Sequence, residues 1–310
     1  MQPIVSVIIP THDRPALVVR AARSALAQTM GDLEVIVLVK PDDTGAAALR
    51  EITDPRLRLI TLERRLLPGP SRNAGVRHAR ADWVAFLDDD DEWVPEKLEI
   101  QLATARQSTN QQPIVSCRQI ARRPGVDFIW PRRLPEPAEP VSEYLFCQRS
   151  LFWGEGMAPP STVLARRALL EQVPFREDIP RQEDHHWLLE AEHVAGARLE
   201  FPATAAPLVI RHIDEDRPRI GTSRANWRHS FDWARGNRPL FTRRAYAGFL
   251  MRGLARAATK ARRWDAFLPL LGEALRRGRP SGQDLVFYLA VWLTPQTIQR
   301  RLAARRARRT

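Results

Sequence analysis

The first 120 residues alternate short apolar, β-branched runs with stretches of helical periodicity. This alternation is typical of βαβ units, in which helices join parallel strands and cover the sheet. Five strands are predicted, running from Ile4 to Ile9, Leu33 to Val39, Leu57 to Ile60, Trp83 to Leu87 and Ile114 to Cys117. The sequence therefore predicts an α/β fold with a mostly parallel sheet flanked by helices.

Helices are predicted between and after these strands. Pro15 stands in the first turn of one helix, with Asp13 as its expected N-cap. Further helices are predicted over Ser71 to Ala79, from near Pro95, over Arg167 to Gln172 and over Glu183 to Val194. Residues 122–140 contain five prolines, too many for a regular element, so an irregular surface excursion is predicted there.

Charge is unevenly distributed along the chain. Residues 217–310 hold 22 Lys and Arg against four Asp and Glu, whereas residues 1–216 hold 26 against 32. We therefore expect a folded domain over residues 1–216 and a basic helical extension over 217–310. Such a basic surface is compatible with plain solvation, with anionic lipid headgroups or with nucleic acid. No nucleic-acid-binding motif accompanies it, so no nucleic acid partner is expected.

Cysteine usage and hydropathy bear on the compartment. Cys117 and Cys147 lack the spacing of a paired motif, which favours reduced thiols and a cytoplasmic setting. The N-terminus enters a strand directly, so no signal peptide is predicted. The apolar stretch from Leu285 to Leu293 is about half of the roughly 20 residues that a membrane helix requires. A cytoplasmic protein is expected, with peripheral association at the inner face of the membrane left open.

An acidic run, Asp88-Asp89-Asp90-Asp91, directly follows the fourth predicted strand. Adjacent carboxylates repel one another unless a cation is present, and their oxygens suit Mg²⁺ or Mn²⁺. In extended backbone alternate side chains point the same way, so Asp88 and Asp90 should project together and Asp89 to the other face. Open α/β sheets bind ligands beyond the carboxyl ends of their strands. The run therefore predicts a divalent-metal site, with a solvated acidic turn as the alternative.

Four segments in this order resemble the family 2 glycosyltransferases of the GT-A fold, a Rossmann-like fold. They are Val5-Ser-Val-Ile-Ile-Pro-Thr-His-Asp-Arg-Pro15, Gly69-Pro-Ser-Arg-Asn-Ala-Gly75, Phe86-Leu-Asp-Asp-Asp-Asp-Glu-Trp93 and Glu183-Asp184. The resemblance extends from residue 4 to about residue 216. It implies an inverting enzyme that takes a sugar from a nucleotide-sugar donor, with a UDP-sugar expected.

The resemblance also implies roles for single residues. Asp88 and Asp90 match the DXD motif, in which the second carboxylate ligates a divalent metal that bridges the diphosphate. The implied nucleotide-sugar ligands are Thr11, Asp13, Arg14, Asp42, Arg72, Asp88 and Asp89. Two of these have simpler alternatives, since Asp13 is a sufficient helix cap and Arg72 could merely face solvent.

Glu183 and Asp184 match the acidic pair whose aspartate acts as the general base in inverting members of the family. An attacking sugar hydroxyl must lose its proton, and a carboxylate on that side can accept it. Asp184 is therefore the predicted base, with Glu183 beside it. Both acids would also complement the N-terminus of a helix, and the two readings are compatible.

Two histidine-containing patterns were weighed as metal sites. Arg211-His212 resembles the family's Arg-x-His region, so His212 is predicted to approach the metal, with an ordinary loop histidine as the alternative. His186 and Glu190 are four residues apart on one predicted helix, but the HExxH arrangement of a zinc hydrolase is absent.

One departure from the family concerns the end of the second strand. Family members commonly carry an Asp-Asp-Gly-Ser stretch there, whereas this chain has Lys40-Pro41-Asp42-Asp43. The acids are displaced by about three positions, which weakens the inference of a uracil base. Either Asp42 or Asp43 could still take the base-contacting role.

The sequence thus predicts a metal-dependent glycosyltransferase that extends a glycan or lipid-linked acceptor in cell-surface polysaccharide synthesis. A sugar nucleotidyltransferase is one alternative, but its Gly-rich, basic phosphate loop is not found near the N-terminus. A non-catalytic nucleotide-sugar-binding module on the same fold is another, and the acids at 88, 90 and 184 argue against it.

Overall fold

The computed structural model describes residues 2–123, 125–150, 154–213 and 227–294. The chain is divided into two compact units. The first comprises residues 1–123, 127–131 and 158–215, and the second comprises residues 124–126, 132–157 and 216–310. The predicted domain boundary at residue 216 lies outside the described residues and stays a prediction.

Eleven strands are found among the described residues: β1 (Val5–Pro10), β2 (Leu33–Val39), β3 (Leu57–Thr61), β4 (Trp83–Phe86), β5 (Asp91–Trp93), β6 (Gln112–Val115), β7 (Gln119–Arg123), β8 (Val126–Trp130), β9 (Leu164–Arg166), β10 (Ala197–Glu200) and β11 (Val209–His212). Seven of them form a sheet in the order β10-β6-β9-β4-β1-β2-β3, and a second sheet has the order β5-β11-β7-β8. In the larger sheet only β9 pairs antiparallel with its neighbours. The predicted α/β class with a mostly parallel sheet is confirmed.

The α-helices of the first unit are α1 (Pro15–Leu26), α2 (Thr44–Arg50), α3 (Pro68–His78), α4 (Lys97–Gln107), α6 (Arg167–Gln172) and α7 (Glu183–Ala191). Those of the second unit are α5 (Val141–Phe146), α8 (Trp227–Gly236), α9 (Arg243–Gly248), α10 (Ala255–Lys260), α11 (Phe267–Arg277) and α12 (Gly282–Leu293). The residues described after 227 are mainly helical, as predicted.

The centre of the large sheet is buried on both faces. Every residue of β2 is buried, and β1 is buried up to Ile9, as expected of parallel strands covered by helices. Gly75 allows α3 to approach β1 closely, because a Cβ atom there would lie 2.4 Å from Ile8 Cγ2. Since β1, β2 and β4 run parallel, the loops that follow them meet at one edge of the sheet.

Two local predictions were wrong. The proline-rich segment is not wholly irregular, because Val126–Trp130 forms β8 within the smaller sheet. Asp13 does not cap α1, whose N-cap is Arg14 without a side-chain hydrogen bond. Asp13 instead adopts a left-handed φ of 52°, and its Oδ1 accepts a hydrogen bond from the Thr44 amide at the start of α2 (3.2 Å).

The second unit is held by aromatic and ionic contacts of its own. The rings of Trp233 and Phe249 pack edge to face at 5.4 Å. Arg252 is buried and donates to Asp284 Oδ1 at 2.6 Å. Asp284 also completes a capping box with Ser281 at the start of α12. Among the described helices, none has both the length and the apolar composition needed to span a bilayer.

Lys97 is a buried amine in the first unit. It is fully shielded from solvent, its Nζ donates to Gln101 Oε1 at 2.5 Å, and it lies 3.9 Å from the centre of the Trp93 ring. Burial disfavours the charged form and lowers the pKa of Lys97 to about 8.

This burial predicts a pH-dependent stability. Between the folded pKa of about 8 and the ordinary value of 10.5, the unfolded chain binds a proton that the folded chain does not. Lys97 should therefore contribute a rise in the free energy of unfolding with pH in that window, by at most about 1.4 kcal/mol per pH unit. Burial raises the pKa of the Cys117 and Cys147 thiols to about 12, which opposes this rise in every variant. Urea unfolding at pH 8 and pH 10 should therefore show a more favourable change in the unmodified chain than in Lys97→Met.

Lys260 is exposed and offers a control, because Lys260→Met should change in stability with pH as the unmodified chain does. Equal pH dependence in the Lys97→Met variant and the unmodified chain would contradict a depressed pKa for Lys97.

Candidate active site

The loop after β1 is tied to the acidic run. Thr11 Oγ1 donates to Asp89 Oδ2 at 2.7 Å, and Arg14 Nη1 lies 2.8 Å from Asp89 Oδ1 and 3.3 Å from Asp90 Oδ2. Asp89 is 4% exposed. Burial raises the pKa of Asp89 to about 6, although the Arg14 charge opposes the rise. Three predicted nucleotide-sugar ligands, Thr11, Arg14 and Asp89, are therefore in direct contact.

The acidic run does not continue the strand but forms a turn. The Asp91 amide donates to the Asp88 carbonyl at 3.1 Å, the hydrogen bond that closes a β-turn. The turn brings carboxylate oxygens of Asp88, Asp90 and Asp91 within 4.8 Å of one another. The expected pairing of Asp88 with Asp90 is found, but the extended backbone invoked for it is wrong. Asp91, to which no role was assigned, joins them.

Asp91 is the most buried of these three acids. Its side chain is 1% exposed, Ser161 Oγ donates to its Oδ2 at 2.7 Å, and its Oδ1 has no hydrogen-bond partner in the described part of the chain. Burial raises the pKa of Asp91 to about 8, and the charges of Asp90 and Asp88 add to the effect while Arg211 opposes it.

The three carboxylates fit a divalent cation. A buried oxygen without a donor is costly, and three ionised carboxylates at this separation would destabilise one another, as the raised pKa of Asp91 reflects. Hard oxygen ligands are those that Mg²⁺ and Mn²⁺ prefer, and both ions usually keep further positions for water or phosphate. The residues present thus suit the predicted metal.

Arg72 joins the acidic turn to α7. It is 3% exposed, its Nη2 lies 2.8 Å from Asp88 Oδ1, and its Nη1 lies 3.1 Å from Glu183 Oε1. Burial alone would lower the pKa of Arg72, but the carboxylates of Asp88 and Glu183 outweigh it and raise the pKa. The alternative that Arg72 faces solvent is wrong.

Arg72 lies in α3, and hydrogen bonds join this helix to the segment before α7. Asn73 Nδ2 donates to the Phe175 carbonyl at 2.8 Å, and the Phe175 amide donates to Asn73 Oδ1 at 2.9 Å. The Phe175 ring stacks on Trp187 of α7 at 5.4 Å and meets Phe86 edge to face at 5.4 Å. These contacts fix the start of α7 against the end of β4.

Glu183 and Asp184 open α7, as the sequence predicts. Asp184 lines a small cavity together with Phe86, Phe175 and Trp187. Burial would raise the pKa of Asp184, but the neighbouring charges of His185 and Arg72 outweigh it and lower the pKa. Burial and the Asp184 charge raise the pKa of Glu183 despite Arg72. The two acids are thus electrostatically distinct, with Asp184 the more readily ionised.

The loop after β2 offers a different acid from the one selected. Asp42 is exposed, with a left-handed φ of 55°. Asp43 is 6% exposed, and its two oxygens accept hydrogen bonds from the amides of Asp13 (3.1 Å) and Gly45 (2.8 Å). Lys40 Nζ lies 3.1 Å from Asp13 Oδ1. The side chain that reaches the first loop is therefore Asp43, while the role of Asp42 stays a prediction.

The two histidines considered as metal ligands, His212 and His186, each lie beside a carboxylate. His212, in β11, has its Nε2 2.6 Å from Glu92 Oε1, and it is not one of the group formed by Asp88, Asp90 and Asp91. Its predicted metal role stays a prediction. His186 Nε2 lies 3.1 Å from Glu190 Oε1, and neither belongs to a three-ligand group within the described residues.

Three contributors were missed by the sequence analysis. Asp91 could have been found by reading the run as a turn, because the first and fourth residues of a β-turn approach each other. Arg211 was visible only as the neighbour of His212, and it comes to Asp91 because β11 pairs with β5 in that register. Ser161 had no local signal, since it is 70 residues from Asp91 in the chain.

Comparisons with known proteins were made at the levels of family, sequence and structure. The model of the family described as glycosyl transferase family 2 matches residues 6–173, more than half of the chain. The amylovoran biosynthesis glycosyltransferase AmsB of Erwinia amylovora is 26% identical over 251 residues, which are 77% of this chain and 79% of that protein.

A second relative is the Escherichia coli UDP-Glc:alpha-D-GlcNAc-diphosphoundecaprenol beta-1,3-glucosyltransferase WfgD. It is 32% identical over 104 residues, which are 32% of this chain and 40% of that protein. Several of the curated relatives are matched over less than half of their own length.

Among solved structures, the mannosyltransferase PcManGT of Pyrobaculum calidifontis, in complex with GDP-Man and Mn²⁺, matches with a TM-score of 0.56. The identity is 18%, and the match covers 94% of this chain and 86% of that one. At this identity the likeness shows a shared fold.

The acidic group predicts a metal-binding effect of Asp91. Asp91→Asn should weaken Mn²⁺ binding at least about tenfold, because loss of a charged oxygen ligand should cost no less than loss of an outer-shell partner, which costs about 10- to 100-fold. Titration calorimetry measures the affinity. Asp127→Asn, in an exposed pair with Arg122, is the matched control and should bind Mn²⁺ like the unmodified chain.

The thermal stability of the same variant in the presence of chelator separates a ligand from a structural acid. If Asp91 served only to receive Ser161, Asp91→Asn would lower that stability and leave the Mn²⁺ affinity unchanged. That result would contradict the assignment.

Proposed function

The chain belongs to glycosyl transferase family 2, and from this premise we propose that it is an inverting, metal-dependent enzyme that takes a sugar from a nucleoside diphosphate donor. A UDP-sugar is the expected donor, and a glycan or lipid-linked acceptor in cell-surface polysaccharide synthesis is the expected partner. One observation carries the proposal. Buried Arg72 contacts both Asp88 of the acidic turn and Glu183 beside Asp184, which supports placing the proposed cation site and the proposed general base in one site.

Asp88, Asp90 and Asp91 would hold the divalent cation, for which Mn²⁺ or Mg²⁺ is proposed. When bound, the cation neutralises negative charge on the diphosphate leaving group as a Lewis acid. The arginines nearest the acidic turn already contact its carboxylates. Arg14 contacts Asp89 and Asp90, and Arg72 contacts Asp88. Arg14 and Arg72 therefore position the acidic turn.

Asp184 would accept the proton of the acceptor hydroxyl. A carboxylate acts as a base only while it is ionised, and the charges of His185 and Arg72 lower the pKa of Asp184 despite its burial. Glu183 donates no proton in this scheme. It receives Arg72 at 3.1 Å and so holds the first turn of α7 in place.

The acid that contacts the nucleobase of the donor would come from the loop after β2. Asp43 is oriented by the amides of Asp13 and Gly45, whereas Asp42 is exposed. A UDP-sugar stays the expectation, and the relative WfgD is named for a UDP-glucose donor. The structural neighbour PcManGT was solved with GDP-Man, so the donor screen described below includes guanine nucleotides.

A lipid-linked acceptor would bring the enzyme to a membrane surface. WfgD is named for a diphosphoundecaprenol acceptor, and AmsB for amylovoran biosynthesis. The proposed location is therefore the cytoplasmic side of the membrane, with peripheral attachment through the basic region from residue 217 onward.

A thermal-shift screen of nucleotide-sugars tests the donor proposal. With Mn²⁺ present, the true donor at 100 times its dissociation constant should stabilise the protein by about 2.7 kcal/mol. Chelator should remove the shift, and Asp90→Ala should abolish it because the variant lacks one metal ligand. A shift that survives chelator and Asp90→Ala unchanged would contradict metal-dependent donor binding.

If Asp184 is the general base, its replacement should slow sugar transfer without weakening donor binding. Asp184→Asn keeps the shape of the side chain but cannot accept the proton, so the rate of sugar transfer should fall by about 10² to 10⁴. The donor-induced thermal shift should be retained. Asp178→Asn is the matched control, since Asp178 precedes α7 and is 65% exposed.

Full turnover by Asp184→Asn would rule out Asp184 as the base. An unmodified chain that binds the donor but transfers no sugar to any polyprenyl-linked or oligosaccharide acceptor would instead support the non-catalytic module.

A further inference from the structure

Exposed apolar side chains are concentrated in the last part of the second unit. Eight large apolar side chains are exposed among the described residues, and six of them lie between residues 264 and 293. These six are Trp264, Leu268, Leu275, Val286, Leu289 and Leu293. Single exposed apolar residues are ordinary, but a cluster of this kind marks an interaction surface.

Three of these residues form a stripe on α12. Val286, Leu289 and Leu293 are spaced by three and four positions, so they share one face of the helix. They are 62%, 47% and 75% exposed. We call this set the α12 stripe.

The other face of α12 is already occupied. Tyr288 and Trp292 are buried, and both rings pack on Phe267 of α11, at 5.3 Å and 5.5 Å. α12 is thus apolar on both faces, although only one of them is packed against the described residues of the second unit. A helix that is apolar all round is normally covered on every side. We therefore expect a binding partner to cover the α12 stripe.

The charge of this region is strongly positive. Residues 255–294 contain seven Lys and Arg against three Asp and Glu. Each of the three acids is engaged: Asp265 contacts Arg263, Glu273 accepts from Tyr246, and Asp284 contacts Arg252. The 16 residues after Thr294 add six arginines and no acid. The apolar stripe therefore stands directly before the most basic segment of the chain.

We propose that the α12 stripe docks on the surface of an anionic lipid bilayer. The three apolar side chains enter the boundary between headgroups and acyl chains, while the net positive charge of the sequence from residue 255 onward attracts the lipid phosphates. An amphipathic helix with an apolar face and basic surroundings binds in this way. The inference deepens the proposed function and rests on it in one respect, because a lipid-linked acceptor would give such docking its purpose.

A second copy of the chain is the competing occupant, and charge disfavours it. Two copies meeting through the α12 stripe would bring together two regions of net positive charge, since residues 255–294 hold seven Lys and Arg against three Asp and Glu, and like charges across an interface are repulsive. An anionic bilayer instead attracts this region by its charge and the stripe by removal of apolar area from water.

Sedimentation of the full-length protein with vesicles tests the proposal. The unmodified chain should bind vesicles of phosphatidylglycerol and phosphatidylcholine. The triple variant V286S/L289S/L293S should bind at least about tenfold more weakly, because it loses the apolar insertion. Ile129→Ser is the matched control, since Ile129 is a 52% exposed apolar residue of the first unit, and it should bind like the unmodified chain.

A charge variant separates the two contributions. Replacing the six C-terminal arginines by Gln should weaken binding to the anionic vesicles, by about fivefold for each side chain that reaches the surface. Binding to pure phosphatidylcholine should be unaffected. The replaced residues are Arg300, Arg301, Arg305, Arg306, Arg308 and Arg309.

Three outcomes would overturn the proposal: no binding of the unmodified chain to anionic vesicles, equal binding by the triple variant, or a dimer in light scattering that the triple variant converts to monomers. The far-ultraviolet circular dichroism of the triple variant should match that of the unmodified chain, since the replaced side chains are exposed.

The thermal shift with a nucleotide-sugar and Mn²⁺ measures donor binding independently of vesicle binding, so the docking surface and the proposed function can fail separately. Retained donor binding with lost vesicle binding in the triple variant supports the α12 stripe as the docking surface. Vesicle binding by an unmodified chain that shows no donor shift would reject the proposed function and still support the docking surface.

Discussion

The buried contact of Arg72 with Asp88 and Glu183 is the constraint on which the rest of the site depends. The two carboxylates come from the end of β4 and the start of α7, and one planar guanidinium reaches both. A buried cation that loses a partner costs about 3–5 kcal/mol. The acidic turn and the acidic pair are therefore held at a fixed separation. Neither can shift alone, which is what the proposed combination of a cation site with a general base requires.

Arg72 is in turn held in place by the packing of α3, through residues to which no catalytic or binding role is assigned. Gly75 lets α3 lie against Ile8 of β1, and the paired hydrogen bonds of Asn73 with Phe175 fasten the segment before α7 to the same helix. The geometry of the site thus follows from a close helix-to-sheet approach. A larger side chain at position 75 would displace α3 and Arg72 with it.

Much of this arrangement could be predicted from residue patterns. Strands β1, β2 and β4 were found because buried parallel strands are continuous apolar runs, and their order brings the carboxyl ends together. Local patterns allow either a turn or an extended backbone in the acidic run and do not decide between them, so Asp91 was missed. Nor could they show that Asp13 leaves α1 for the start of α2, or that Asp43 rather than Asp42 reaches the first loop. Those outcomes depend on backbone conformations at Asp13 and Asp42 with positive φ, which periodicity does not report.

The acidic turn also bears on how such chains are recognised. Its four aspartates are identical in sequence, yet Asp88 meets Arg72, Asp89 meets Thr11, Asp90 meets Arg14 and Asp91 meets Ser161. A deletion of one aspartate would leave three in a row, which a motif search would still accept as DXD. The hydrogen bond that closes the turn would then join different residues, and every partner would be offered the wrong side chain. A homologue with a shortened run can therefore pass the motif criterion while lacking the site.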